Sequence, residues 1–209
     1  NKDLDEFAHI ASHDLQQPLR QLMSFTEFLE EDLGDDIPEN VASDLDVIKK
    51  TSARMRSLVR DLLALSKTSR KTAERSECDL EEIFESVKEE LSIHLEETGA
   101  KIKKPELPTV LGDPVMLQQL YRNLMSNALK FIEDKKPIIE LTCEGKDGNL
   151  VLGVKDNGIG IEEKYIDKIF LPFKRVHQGK YEGTGIGLAI CVKVVAVSYT
   201  HLRAHETLP

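Results

Sequence analysis

Apolar residues recur at steps of three and four through the first third of the chain. Leu4, Phe7, Ala11, Leu15, Leu19, Leu22, Phe25 or Thr26, and Leu29 fall on one face of a helix spanning residues 3–33. Val41, Leu45, Ile48, Ser52, Met55, Val59 and Leu62 repeat the pattern in near-heptad register. Between them "GDDIPEN" holds the Gly and Pro that stop one helix and start the next. The pattern predicts a long antiparallel helical hairpin over residues 1–70. Two narrow stripes bury little area within one hairpin, so the hairpin is expected to pair with a second copy as a dimeric four-helix bundle.

The periodicity then breaks. "KTSRKTAERSEC" is polar and nearly free of apolar residues, so residues 71–78 read as a linker. Beyond it come a helical pattern at residues 79–98, short extended pieces near "AKIKK" and "TVLGD", and a helix from Pro114 to about Ile132. "PIIELTCE" and "NLVLGVKD" alternate as strands, joined by "GKDG", which carries the Gly and Asp of a hairpin turn. Residues 79–196 are thus an α/β domain with hairpin-linked strands, unlike the repeating βαβ of a doubly wound sheet. There is no internal repeat.

Composition narrows the function. With 209 residues, 40% of them hydrophobic, the chain can form packed cores. Acidic residues outnumber basic ones, 37 to 28, and the net charge of -9 argues against a general grip on nucleic acid or an anionic membrane surface. Any phosphate site must be local. Cys78, Cys143 and Cys191 show no C-x-x-C spacing, which signals neither zinc nor a disulfide framework and fits a reducing compartment. No apolar run of about 18 residues occurs, and "NKDLDEFAHI" lacks the regions of a signal peptide, so a soluble chain is expected.

Four clusters carry candidate chemistry. In "SHDLQQPLR", His13 lies about 200° around the helix from Ala11, on the face away from the apolar stripe. Pro18 has no N–H to reach the Asp14 carbonyl, so a kink is expected beside the histidine. Asp14 can keep one imidazole nitrogen protonated while the other attacks, an arrangement suited to a phosphoryl group; a decorative surface histidine is the alternative. His9 stands four residues earlier, a spacing that could share a metal, but no third ligand is placed.

In "LYRNLMSNALKF", Asn123, Asn127 and Lys130 share one helix face while Leu120, Leu124, Ala128 and Phe131 line another. Amide oxygens are competent ligands for Mg²⁺, whereas a merely solvated face would favour Glu and Lys over two Asn. "VKDNGIGI" ends a strand at Asp156, and Gly158 and Gly160 let a flat ligand approach the backbone. In "EGTGIGLAI", Gly183, Gly185 and Gly187 lead into an apolar helix whose first N–H groups can meet phosphate oxygens. That glycine pattern does not follow a strand, as dinucleotide binding would require. The segment between the glycine clusters is a candidate mobile lid, with Lys174, Arg175, His177 and Lys180 facing phosphates and Phe170 and Phe173 as anchors; solvation is the alternative for each lysine.

Taken in order, the clusters resemble the transmitter region of sensor histidine kinases of two-component signalling, over residues 4 to 195. "SHDLQQPLR" is similar to the H box, "RNLMSNALKF" to the N box, "DNGIGI" to the G1 box, "IFLPFKRVH" to the F box and "GTGIGLAI" to the G2 box. The wording looks most like the phytochrome-type, PAS-linked branch. The resemblance implies a helical hairpin (HisKA) followed by an α/β two-layer sandwich of the GHKL or Bergerat ATP-binding type. It implies ATP and Mg²⁺ as cofactors, His13 as phosphoacceptor and Asp14 as assisting base. Asn127 would hold Mg²⁺ with help from Asn123, Asp156 would read the adenine amine, and Lys130 and Arg175 would contact phosphates. Gly158, Gly160, Gly183, Thr184, Gly185, Gly187 and Leu188 would complete the ATP site, and Pro18 would open access to His13. The implied partners are a response-regulator receiver domain, a second copy of the chain and an upstream sensor domain, in the cytoplasm, without nucleic acid or membrane contact by this fragment.

Two departures stand out. Gln17 occupies the place where many relatives carry Thr or Asn, so weak or absent phosphatase activity is expected. From about Val195 the chain leaves the family pattern, and residues 197–209, within "AVSYTHLRAHETLP", resemble adaptor read-through, which implies missing C-terminal strands, poor folding or weak ATP binding. The alternatives are a non-catalytic dimerisation scaffold or pseudokinase, an inactive truncated fragment, and a mechanochemical ATPase of the same superfamily.

Overall fold

The computed structural model describes residues 2–34, 37–67, 76–146, 149–176, 181 and 183–197; the side chains of 2–14, 65–67, 146, 149 and 197 are outside the described set. The chain divides into two compact units, Asn1–Arg70 and Lys71–Pro209.

In the first unit, α1 (Lys2–Leu33) and α2 (Glu39–Lys67) form the expected hairpin. Gly34, at φ +62°, ends α1 in the left-handed conformation that glycine adopts without steric cost. Helix α1 continues through Pro18. The seam inside the hairpin is narrower than the apolar stripes: Leu19 and Thr26 of α1 and Leu45, Ser52 and Val59 of α2 are buried, each seven residues from the next on its helix. Thr26 satisfies its hydroxyl by donating to the Leu22 carbonyl at 2.7 Å, and Lys49 bridges to Glu30 at 2.6 Å. Among the other described stripe residues, Leu15, Leu22, Phe25, Leu29, Ile48, Met55 and Leu62 stay exposed, together with Phe28 and Val47, and Val41 is half-buried.

The second unit is a two-layer α/β arrangement. Strand β1 (Ser76–Asp79) pairs antiparallel with β3 (Thr109–Gly112), while β2 (Lys101–Lys103) runs parallel to β4 (Ile138–Lys146), which pairs antiparallel with β5 (Asn149–Asp156). Helices α3 (Leu80–Glu90), α4 (Ser92–Thr98), α5 (Pro114–Lys130) and α6 (Gly187–Val197) complete it. The core gathers Leu80, Phe84 and Val87 of α3, Tyr121, Met125, Ala128 and Leu129 of α5, and Ile139 and Leu141 of β4. Helix α5 starts where its sequence dictates: Asp113 Oδ1 accepts from the N–H groups of Val115 and Met116, and Pro114 takes the first helical position.

Three expectations need correction. The last three residues of the expected linker, 76–78, lie with Asp79 in a strand, because Cys78 is buried against β3. The helical pattern at 79–98 is two helices broken at Leu91. The buried face of α5 is Tyr121, Met125, Ala128 and Leu129, with Leu120, Leu124 and Phe131 only half-buried.

Candidate functional site

His13 lies in the helical backbone of α1, five residues before Pro18. The side chains of His13 and Asp14, and with them the expected outward orientation of the imidazole, are outside the described residues; Gln17 and Pro18 are exposed.

In the second unit, three motifs far apart in sequence meet at the end of α5. The Phe131 carbonyl, just past Lys130, accepts from Ile159 N at 3.0 Å, tying the helix to the turn after β5. Asp156 Oδ1 accepts from Gly158 N at 2.8 Å, which fixes its carboxylate at the strand end. A Cβ on Gly158 would stand 2.3 Å from the Phe131 carbonyl oxygen, so only glycine fits that approach. The glycine-rich segment reaches the same helix. A Cβ on Gly183 would lie 2.5 Å from Lys130 Nζ, and Asn123 Nδ2 donates to the Gly187 carbonyl at 3.1 Å. Gly160, Gly183 and Gly185 have φ of 72°, 149° and 74°, the region that favours glycine.

Around this junction, Lys130 Nζ lies 4.5 Å from the Phe131 ring centroid, and Tyr181 packs edge-on against the same ring at 5.0 Å. Arg175 donates to the Tyr181 carbonyl, and Phe173 N donates to the Gly185 carbonyl at 2.9 Å. Thr184 Oγ1 accepts from Ile186 N at 3.3 Å. Asn127 and Leu188 are half-buried. Burial pushes the Cys191 thiol up to about 12, against the opposing effect of its hydrogen bond with Asn123. Burial, helped by Cys143, likewise raises the Tyr121 phenol to about 12.

Asn123, Lys130, Asp156, Gly158, Gly183 and Gly187 are therefore brought together, with Arg175 and Thr184 on the adjoining loop. Phe173 is corrected: its side chain is 61% exposed at φ 64° and gives the segment no buried anchor, whereas Ile169 is the buried side chain among the described residues of the segment. His177 and Lys180 are outside the described residues. Sequence reasoning passed over Asn157, whose Oδ1 accepts from Ile138 N at 2.7 Å and whose Nδ2 donates to the Lys136 carbonyl at 3.1 Å, locking β4 to the turn. An Asn preceding Gly at a strand end was the available signal. It also passed over Gln119, Arg122 and Tyr181.

Among the described residues no group of three His, Cys, Asp or Glu is placed to hold a metal ion. The donor set near the junction is amide oxygen, a hard donor suited to a magnesium ion that arrives with phosphate oxygens. The first N–H groups of α6 have no partner within the helix and suit an anion.

Residues 3–71 match the family described as the His Kinase A (phospho-acceptor) domain, and residues 112–207 match the histidine kinase-, DNA gyrase B-, and HSP90-like ATPase. Over 196 residues the chain is 36% identical to the phytochrome-like protein Cph1 of Synechocystis, covering 93% of this chain and 26% of that protein. It is 31% identical over 199 residues to the methanogenesis regulatory histidine kinase FilI of Methanothrix harundinacea, covering 94% and 22%. Full-length ShkA, solved in complex with AMPPNP, matches with a TM-score of 0.68 at 27% identity, covering 92% of this chain and 41% of that one. The chain spans about a quarter of the length of the curated relatives it matches.

Proposed function

We propose, from the premise that this chain belongs to the histidine kinases and is a transmitter core of that family, that it phosphorylates His13 from Mg-ATP and passes the phosphoryl group to an aspartate of a response-regulator receiver domain. The observation that carries the reading is the meeting of Lys130, the Asp156–Gly158 turn and the Gly183–Gly187 segment at one end of α5. That arrangement supplies a cation, a carboxylate and helix N–H groups on segments that all contact α5.

Asp156 would accept from the adenine amine, and Lys130, Arg175 and the start of α6 would neutralise phosphate charge. Asn127, with Asn123, would hold Mg²⁺, which when bound screens the phosphates and orients the transferred group. One imidazole nitrogen of His13 forms the N–P bond as the bond to ADP oxygen breaks, and Asp14 holds the proton on the other nitrogen. Catalysis by this route is positioning and charge neutralisation. The exposed apolar strip of α1 and α2 supports a homodimeric bundle, and Gln17, in place of the Thr or Asn common there, fits weak phosphatase activity. No helix among the described residues is long and apolar enough to cross a membrane.

The test is incorporation of acid-labile, alkali-stable phosphate from Mg-ATP, comparing the chain with His13→Gln. Labelling that disappears in the variant is the expected result. Steady ATP hydrolysis that survives the substitution, with no phosphate kept on the protein, would sink the reading.

A further inference from the structure

A chain of polar side chains crosses α5 from α3 to α6, and each link has a defined direction. Arg122 Nη1 lies 3.9 Å from Glu90 Oε2 at the end of α3, and Gln118 Nε2 donates to Glu90 Oε1 at 2.6 Å, holding that carboxylate in place. Arg122 Nη2 donates to Gln119 Oε1. Gln119 Nε2 then donates to Asn123 Oδ1 at 3.1 Å, and Asn123 Nδ2 donates to the Gly187 carbonyl at 3.1 Å. Positions 122 and 123 lie three and four residues after 119, so each neighbours Gln119 on the helix surface.

The direction follows from chemistry. A guanidinium has donors and no acceptor, so Gln119 must turn its oxygen toward Arg122 and its NH₂ toward Asn123. Asn123 must then turn its oxygen to Gln119 and its NH₂ to Gly187. A Cβ on Gly187 would sit 3.7 Å from Asn123 Cγ, so glycine carbonyl and amide already stand in contact.

We infer that Gln119 and Arg122 are positioning residues for the nucleotide site: they orient the Asn123 carboxamide, which pins the first turn of α6 and the glycine-rich segment to α5. The inference rests on the proposed function only for what α6 binds, since the pinning belongs to the protein itself. It gives Asn123 a task beyond assisting magnesium.

The test uses the whole chain with Gln119→Glu, Gln119→Met and Asn123→Asp. Gln119→Glu still accepts from Arg122 but presents an acceptor to Asn123 Oδ1, which reverses the last link. Amide hydrogen exchange at residues 187–191, read without nucleotide, is expected to speed up roughly two- to tenfold in both Gln119 variants, the factor one net hydrogen bond is worth. Affinity for a fluorescent ATP analogue should fall by a similar factor. In the Asn123→Asp background, Gln119→Met should add nothing further at residues 187–191, because the link it acts through is already lost.

Unchanged exchange at residues 187–191 in both Gln119 variants overturns the inference, and so does simple additivity with Asn123→Asp. Should the Gln119 variants fail to fold, Arg122→Met at its half-buried position carries the test, and unchanged protection there overturns it too. A chain that bound no ATP would sink the proposed function and leave the exchange result standing.

Discussion

At the scale of single residues, the clearest demand falls on Gly158. A methyl group there would meet the Phe131 backbone carbonyl at 2.3 Å and Asp156 Oδ1 at 2.7 Å, and backbone cannot swing aside as a lysine tip can. Gly158→Ala is therefore expected to cost about 1–3 kcal/mol, the range for overpacking a fitted site. It should also break the Ile159 to Phe131 bond that ties the turn to α5. Gly145, in β4, meets nothing within 4 Å, so Gly145→Ala should lie within about 0.5 kcal/mol of the parent. Urea unfolding of both variants checks the pair; equal stabilities would mean that the turn relaxes freely and that glycine at 158 is not a steric requirement.

At the scale of elements, the hairpin leaves a continuous problem unsolved within one chain. Phe25 is 64% exposed and Phe28 55%, while the internal seam takes only every seventh residue. A strip of large apolar residues on both helices calls for a second copy. Sedimentation of the parent should give a dimer at micromolar concentration, and Phe25→Lys should weaken it at least about tenfold, since burying such a side chain is worth about 1.5–3 kcal/mol. A monomeric parent would refute the bundle. The helices themselves were legible because a 3.6-residue period is long and redundant over about thirty positions, and the β4–β5 hairpin because its alternation is bounded by glycines. What periodicity could not show is which half of a wide stripe faces the partner helix and which faces outward, because Leu19 and Leu22 look alike in sequence. Strand β1 was illegible for a different reason: Cys78 is its one buried residue, too little signal for a pattern. At the site, glycines and amides marked where the backbone must come close. The orientation of Asn123 depended on Arg122 and Gln119, whose hydrogen bonds exist only once the helix and its neighbours are assembled.

At the scale of the whole molecule, the two units differ in how they answer pH. Cys191 has an ordinary value of 9.0 and is pushed up to about 12 by burial in α6. The folded form thus keeps a proton that the unfolded chain releases, so its contribution is complete below about pH 9 and is lost as pH rises toward 12. Tyr121, raised from 10.0 to about 12, adds to the loss at the upper end of that window. In the hairpin, Lys49 is held up from 10.5 by Glu30, so any loss there begins only at higher pH. Between pH 9 and 10 the second unit should weaken, by about 1 kcal/mol from Cys191. All four tyrosines lie beyond residue 71, so tyrosine fluorescence reports that unit, whereas far-ultraviolet circular dichroism also carries the long helices of the hairpin. Urea midpoints followed by fluorescence should fall from pH 7.5 to 9.5, and Cys191→Ala should flatten that fall, since it removes the proton in question. A slope unchanged by Cys191→Ala would place the alkaline sensitivity elsewhere.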